Sequence, residues 1–294
     1  MKRKLWLGAG LSAAASALAG IAAYAAHRLS GPTAALKRET LFAFTPFETG
    51  VDWEEVRFNS VDGLQIRAWW LGRPESKRVV IGCHGHRGRK DELLGIGSGL
   101  WRAGMNVLIF DFRGRGESDD SICSLAYHEV GDLHGAIKYV EARLPEAQIG
   151  VIGYSMGAAV SLLGSADQPA VKAVVADSSF AEMANLVDFA LANRRLPPRP
   201  LRALADQITA QRYGYRFEAV RPIEALIRYG QRPLLVIHCT GDTVIPVVDA
   251  YDLYAAAQGP KELWIVEDMP HCGAYFADRP AYVKRVAEFF ERYL

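Results

Sequence analysis

Residues 153–157 read Gly153-Tyr154-Ser155-Met156-Gly157, a serine with a glycine two positions away on either side. The apolar stretch Ile149 to Ile152 precedes it, and Met156 to Ala166 follows with apolar residues at helical spacing, at 158, 159, 162 and 163. On a sharp strand-to-helix turn a serine hydroxyl is pushed clear of the backbone, and the glycines let strand and helix approach closely. The helix adds free N–H groups and a positive dipole end beneath the hydroxyl, which stabilise developing negative charge. These are the requirements of a nucleophile.

A serine nucleophile needs a base, and histidine is the side chain suited to that role near neutral pH. Of the seven histidines, His27 lies beside an N-terminal apolar run, His84 and His86 just past an expected strand, His128 and His134 at an expected helix, and His238 at a strand end. His271 alone sits in a loop after the last expected strand, at the sheet end that carries Ser155. The base needs a carboxylate to hold its tautomer and to stabilise the imidazolium. Asp242 and Asp177 each follow an expected strand, whereas Asp268, three residues before His271, reads as a turn cap. Asp242 gives the chain order Ser, Asp, His; Asp177 stands as the alternative acid.

The elements that must position these residues follow from hydrophobic patterning. Short apolar runs at Val79–Ile81, Val107–Phe110, Ile149–Ile152, Val171–Val175, Leu234–Ile237 and Leu263–Val266 alternate with helical stretches. Continuous apolar strands separated by helices indicate a mostly parallel sheet covered on both faces, with chemistry collected at the strands' carboxyl ends. Trp53 to Phe58 and Leu64 to Trp70, around Val61-Asp62-Gly63, predict an antiparallel hairpin at the sheet edge. Between Asp177 and Pro233 lie 55 residues, far more than a crossover needs. The surplus predicts a small helical lid within about 181–228.

With 294 residues, 50% hydrophobic and 23% charged, the composition is that of a globular protein. A net charge of +1 supplies no global field for nucleic acid, so no nucleic-acid partner is expected. Lys2, Arg3 and Lys4 precede an uncharged run from Leu5 to Ala26. This predicts an N-terminal membrane anchor or signal segment over 1–30, a tether over 31–50 and the catalytic domain over 51–294. The domain would then lie outside the cytoplasm, anchored, or secreted or periplasmic if cleavage follows Ala19 or Ala25. Cys83, Cys123, Cys239 and Cys272 show no C-x-x-C spacing, so buried free thiols are expected, with Cys239 and Cys272 the candidate pair if one forms.

Five segments together, Cys83-His84-Gly85-His86, Asp111-Phe112-Arg113-Gly114-Arg115-Gly116-Glu117-Ser118, Gly153 to Gly157, Gly241-Asp242-Thr243-Val244-Ile245-Pro246 and Pro270-His271, make the chain resemble a serine hydrolase of the α/β-hydrolase fold. From Val51 to Leu294 it is most similar to the BEM46-like subgroup, largely esterases or hydrolases of unknown substrate. The resemblance implies an oxyanion hole made by the backbone N–H groups of Met156 and His86, where two fixed donors would hold the tetrahedral oxygen. It implies a carboxylesterase acting on a small acyl ester through an acyl-enzyme on Ser155, with no cofactor. Thioesterase, lipase and amide hydrolase share the same triad, and a membrane-tethered binding or scaffold protein is the reading from another class. His84-x-His86 lacks a third ligand at metal spacing, so no metal is expected. Arg87, Arg89, Lys90, Arg113 and Arg115 follow strand ends; they read as a solvated rim or as an attractor of anionic substrate, with Arg113 structural.

Overall fold

The computed structural model describes residues 16, 18–31 and 44–294. In chain order the elements are α1 (18–30), then β1 (Trp53–Asn59), β2 (Gln65–Leu71), β3 (Arg78–Cys83), α2 (Leu94–Arg102), β4 (Asn106–Phe110), α3 (Glu129–Arg143), β5 (Gln148–Tyr154) and α4 (Met156–Ala166). They continue with β6 (Val171–Asp177), α5 (Met183–Ala192), α6 (Pro198–Tyr213), α7 (Pro222–Tyr229), β7 (Leu234–Cys239), α8 (Val248–Ala256), β8 (Lys261–Val266), α9 (Ala274–Ala277) and α10 (Arg279–Tyr293). The strands form one eight-stranded sheet in the order β1-β2-β4-β3-β5-β6-β7-β8. The hairpin β1–β2 and the β2–β4 pair are antiparallel, and every other pair is parallel. This is the expected α/β-hydrolase fold with its edge hairpin.

The central strands read as unbroken apolar runs because both of their faces are covered. On one face Ile81, Leu108, Val151 and Val174 join Leu133, Ile137 and Val160 of α3 and α4. On the other Val80, Ile109 and Ile152 meet Leu100 of α2 with Val286 and Phe290 of α10. Each such side chain contributes about 1.5–3 kcal/mol on burial. Edge strand β1, with one covered face, is half polar instead. Helix α10 starts where Asp278 accepts the Ala281 N–H at 2.9 Å, with Pro280 in its first turn.

Two features bear on the N-terminal expectations. Helix α1 lies on the domain, with Ala22, Ala26 and Ser30 buried at a four-residue spacing. Its end is pinned by hydrogen bonds between Ser30 Oγ and the Tyr215 hydroxyl, 2.6 Å, and between His27 Nδ1 and the Tyr213 hydroxyl, 3.2 Å. Among the described residues no helix is long and apolar enough to cross a membrane. The first part of the apolar run and most of the expected tether lie outside the described residues. Helices α5 to α7 occupy the long segment between β6 and β7. All four cysteines are free; Cys83, Cys123 and Cys239 are buried, whereas Cys272 is partly exposed because its loop lies at the sheet's open end.

Candidate active site

β5 runs directly into α4 through Ser155, whose backbone has φ 54° and ψ −125°. That left-handed φ is costly for a residue with a Cβ, and its neighbours hold it: the Ser155 N–H donates to the Asp177 carbonyl at 2.9 Å. The flanking glycines are there for close approach. A Cβ on Gly153 would lie 2.2 Å from the Gly157 carbonyl oxygen, and one on Gly157 only 2.1 Å from the Cys83 carbonyl oxygen. Helix α4 is thereby drawn against the end of β3, and Ser155 stands at the carboxyl end of the sheet.

The loop after β8 brings His271 to it. Ser155 Oγ lies 2.9 Å from His271 Nε2, and His271 Nδ1 lies 2.6 Å from Asp242 Oδ2. This geometry assigns the Nδ1–H tautomer, with Nε2 accepting from the serine hydroxyl. Asp242 is fixed in turn, because its Oδ1 accepts the N–H groups of Val244 at 2.8 Å and Ile245 at 2.9 Å. Burial works against its charge, but the bonds from His271, Ile245 and Val244 outweigh it and hold the carboxyl below its usual pKa. Asp242 therefore presents a carboxylate to the imidazole across the neutral range.

The alternative acid is engaged elsewhere. Asp177, at the end of β6, accepts hydrogen bonds from the Ser178 hydroxyl and the Tyr282 hydroxyl, both at 2.9 Å, and burial pushes its pKa up to about 6. Asp268 occupies a turn, φ 55°, with its N–H donating to Thr240 Oγ1. The other histidines are committed as well: His128 to the Tyr213 carbonyl, His134 to the Gly164 carbonyl and His238 to the Ile245 carbonyl. His238 is fully buried with Nε2 3.4 Å from Asp242 Oδ2, so it packs behind the acid. Its spacing of four residues from Asp242 was the available signal in the sequence.

Met156 opens α4, where the first N–H groups have no acceptor within the helix. The His86 loop beside it is tied down at several points. The His86 carbonyl accepts from Arg115 Nε at 2.7 Å, its Nδ1 lies 3.3 Å from Cys123 Sγ, and its ring also bonds the Arg28 backbone at the end of α1. Burial and the neighbouring Arg115 lower the His86 pKa to about 4, so the ring is neutral. His84 uses both ring nitrogens: Nδ1–H donates to the Gly85 carbonyl at 2.7 Å, and Nε2 accepts the Phe112 N–H at 3.0 Å. Neither nitrogen is left for a metal.

The basic cluster expected at the rim is largely internal. Lys90 pairs with Asp111 and Glu117, so burial pairs its charge with carboxylates where a solvated rim or an anion attractor was expected, whereas Arg113, read as structural, pairs with Asp132 and Asp62. Arg115 is 2% exposed, and only Arg87 of the five is exposed. Beside His271 lies a cavity of about 390 Å³, bordered by Glu92, Tyr154, Asp177, His271, Tyr275 and Phe276. The sequence signalled neither Glu92 nor the two aromatics of α9. A larger hollow of about 490 Å³, among Trp53, Trp70, Arg73 and Arg143, lies at the other end of the parallel strands, away from Ser155.

Comparison with known proteins places this geometry in a family. The family described as "Serine aminopeptidase, S33" matches residues 74–213. The uncharacterized protein YqkD of Bacillus subtilis is 32% identical over 262 residues, 87% of this chain and 86% of YqkD. The uncharacterized protein YfhR of Salmonella typhi is 30% identical over 246 residues, 77% of each chain. Among solved structures, the Pyrococcus furiosus esterase Pf2001 superposes with a TM-score of 0.72 at 24% identity, covering 87% of this chain and 98% of that one, which shows a shared fold. Sheet order, elbow geometry and the extent of the match to YqkD together make the chain a member of this α/β-hydrolase family of serine hydrolases.

Proposed function

We propose that the protein is a carboxylesterase of the BEM46-like kind, working through an acyl-enzyme on Ser155. The observation that carries the reading is the unbroken chain from Ser155 Oγ to His271 to Asp242, at 2.9 and 2.6 Å. Ser155 attacks the ester carbonyl as His271 takes its proton, and Asp242 stabilises the imidazolium. The tetrahedral oxygen is received by the N–H groups of Met156 and His86. His271 then protonates the departing alcohol, and water, activated by the same imidazole, releases the acid. Helices α5 and α6 serve as the lid.

Esters are favoured over amides by the likeness to the Pyrococcus esterase, whereas the family's aminopeptidase description supports an amide substrate. A fluorophosphonate probe should label the wild type and leave Ser155→Ala unlabelled; equal labelling would sink the enzyme reading. p-Nitrophenyl esters of graded chain length, run beside aminoacyl p-nitroanilides, then separate the two substrate classes. The uncharged run from Leu5 to Ala26 behind Lys2, Arg3 and Lys4 is read as the membrane attachment, with the catalytic domain outside the cytoplasm. Complete release by alkaline wash would overturn the anchor.

A further inference from the structure

Acyl transfer has two sides. His271 must hand its proton to the leaving oxygen, so the leaving group has to lie against His271, while the carbonyl oxygen points toward Met156 and His86. The cavity of about 390 Å³ borders His271 and Tyr154 and is not lined by the His86 loop. It therefore borders the imidazole that gives the leaving group its proton. Its walls are the rings of Tyr154, Tyr275 and Phe276, with Asp177 at the buried floor and Glu92 at the solvent-facing lip. The Tyr154 hydroxyl donates to Glu92 Oε2 and fixes that carboxylate over the opening. Among the described residues no lysine or arginine lines the cavity. Arg279 rests over the Tyr275 and Phe276 rings, 5.7 and 5.5 Å from their centroids, without lining it.

Aromatic faces with carboxylates, and no cation among the lining residues, form a setting that attracts a substituted ammonium group, although Arg279 already rests against two of the rings. We propose that this cavity is the leaving-group subsite and that it prefers alcohols bearing an organic cation to uncharged or anionic ones of the same shape. The inference rests on the esterase reading above. In the reaction the Ser155 oxygen bonds to the acyl carbon, the ester C–O bond breaks, and the alcohol oxygen departs with the proton from His271.

Two phosphorothiolates that differ only in the leaving group test this: one releases thiocholine, the other 3,3-dimethylbutanethiol, its uncharged isostere. Both phosphorylate Ser155, and because the ammonium also makes thiocholine the better leaving thiol, each rate is divided by that of the same reagent with hydroxide before the two are compared. The thiocholine reagent should react about tenfold faster or more. Glu92→Gln, whose amide oxygen still accepts from Tyr154, should bring the ratio to within about twofold. Equal rates in the wild type overturn the inference, as does a ratio untouched by Glu92→Gln, or a fluorophosphonate that labels Ser155 while neither phosphorothiolate does. If the fluorophosphonate also fails, the esterase reading falls first.

Discussion

The two flanks of the Ser155–His271 pair are built from similar residue types used in opposite ways. Toward His86, polar groups face one another: Lys90 meets Asp111, Arg113 meets Asp132 and Asp62, and Arg115 holds the His86 carbonyl. Toward Tyr275, carboxylates and rings face an unfilled space. Paired buried charges are expensive to disturb and so fix backbone in place, whereas carboxylates held by neutral hydroxyls around a cavity, as Asp177 and Glu92 are, keep their charge for a ligand. One flank positions the chemistry, and the other is available to choose what undergoes it.

Substitutions on each side can break this contrast. The largest expected effect is Asp242→Asn, which should lower kcat by about 10⁴ by favouring the wrong histidine tautomer. Steady-state kinetics beside Asp177→Asn decide the acid, because a larger loss at Asp177 would exchange the two roles. Lys90→Met should next lower stability by about 3–5 kcal/mol in urea unfolding, since it strands the buried Asp111 charge. A change below about 1 kcal/mol would mean that this flank is not held by its pairs.

Asp177→Asn gives a pH-dependent third test. Folded Asp177 has its pKa raised to about 6, above the ordinary 3.8, so its stabilising contribution is complete below about pH 4 and is lost as pH rises through 6. Relative to wild type, the Asn variant should gain about 3 kcal/mol in unfolding free energy between pH 4 and pH 8. A difference that stays flat would show that Asp177 ionises as freely in the folded protein as in the unfolded one. The smallest effect is expected for Ser30→Ala, about 1 kcal/mol, from the lost bond to Tyr215. No loss in chemical unfolding would mean that this contact does not hold α1.

The strands, the elbow and the Ser155, Asp242 and His271 set were legible because each rests on local pattern: apolar runs, glycine spacing and position after a strand. Residues that act through distant partners were not. Lys90 is a basic residue beside a strand end, and nothing nearby says that Asp111 will enclose it; Arg113 reads as structural, but its partners Asp62 and Asp132 come from other elements. Glu92, Tyr154 and Tyr275 come from three separate loops and helices and share a cavity only through the fold. Helix α1 lies in the uncharged run read as a membrane segment, and a small-residue stripe suits a protein surface as well as lipid; the stripe of Ala22, Ala26 and Ser30 faces the domain.

The backbone at Ser155 also governs the choice of an inactive protein for trapping a bound ester. Its φ of 54° and ψ of −125° hold about 1–3 kcal/mol that a glycine would release. Ser155→Gly should therefore be more heat-stable than the active protein, and its relaxed turn would no longer report the geometry that a substrate meets. Ser155→Ala retains the Cβ and its conformational cost, and so leaves a mould of the working site with only the hydroxyl removed.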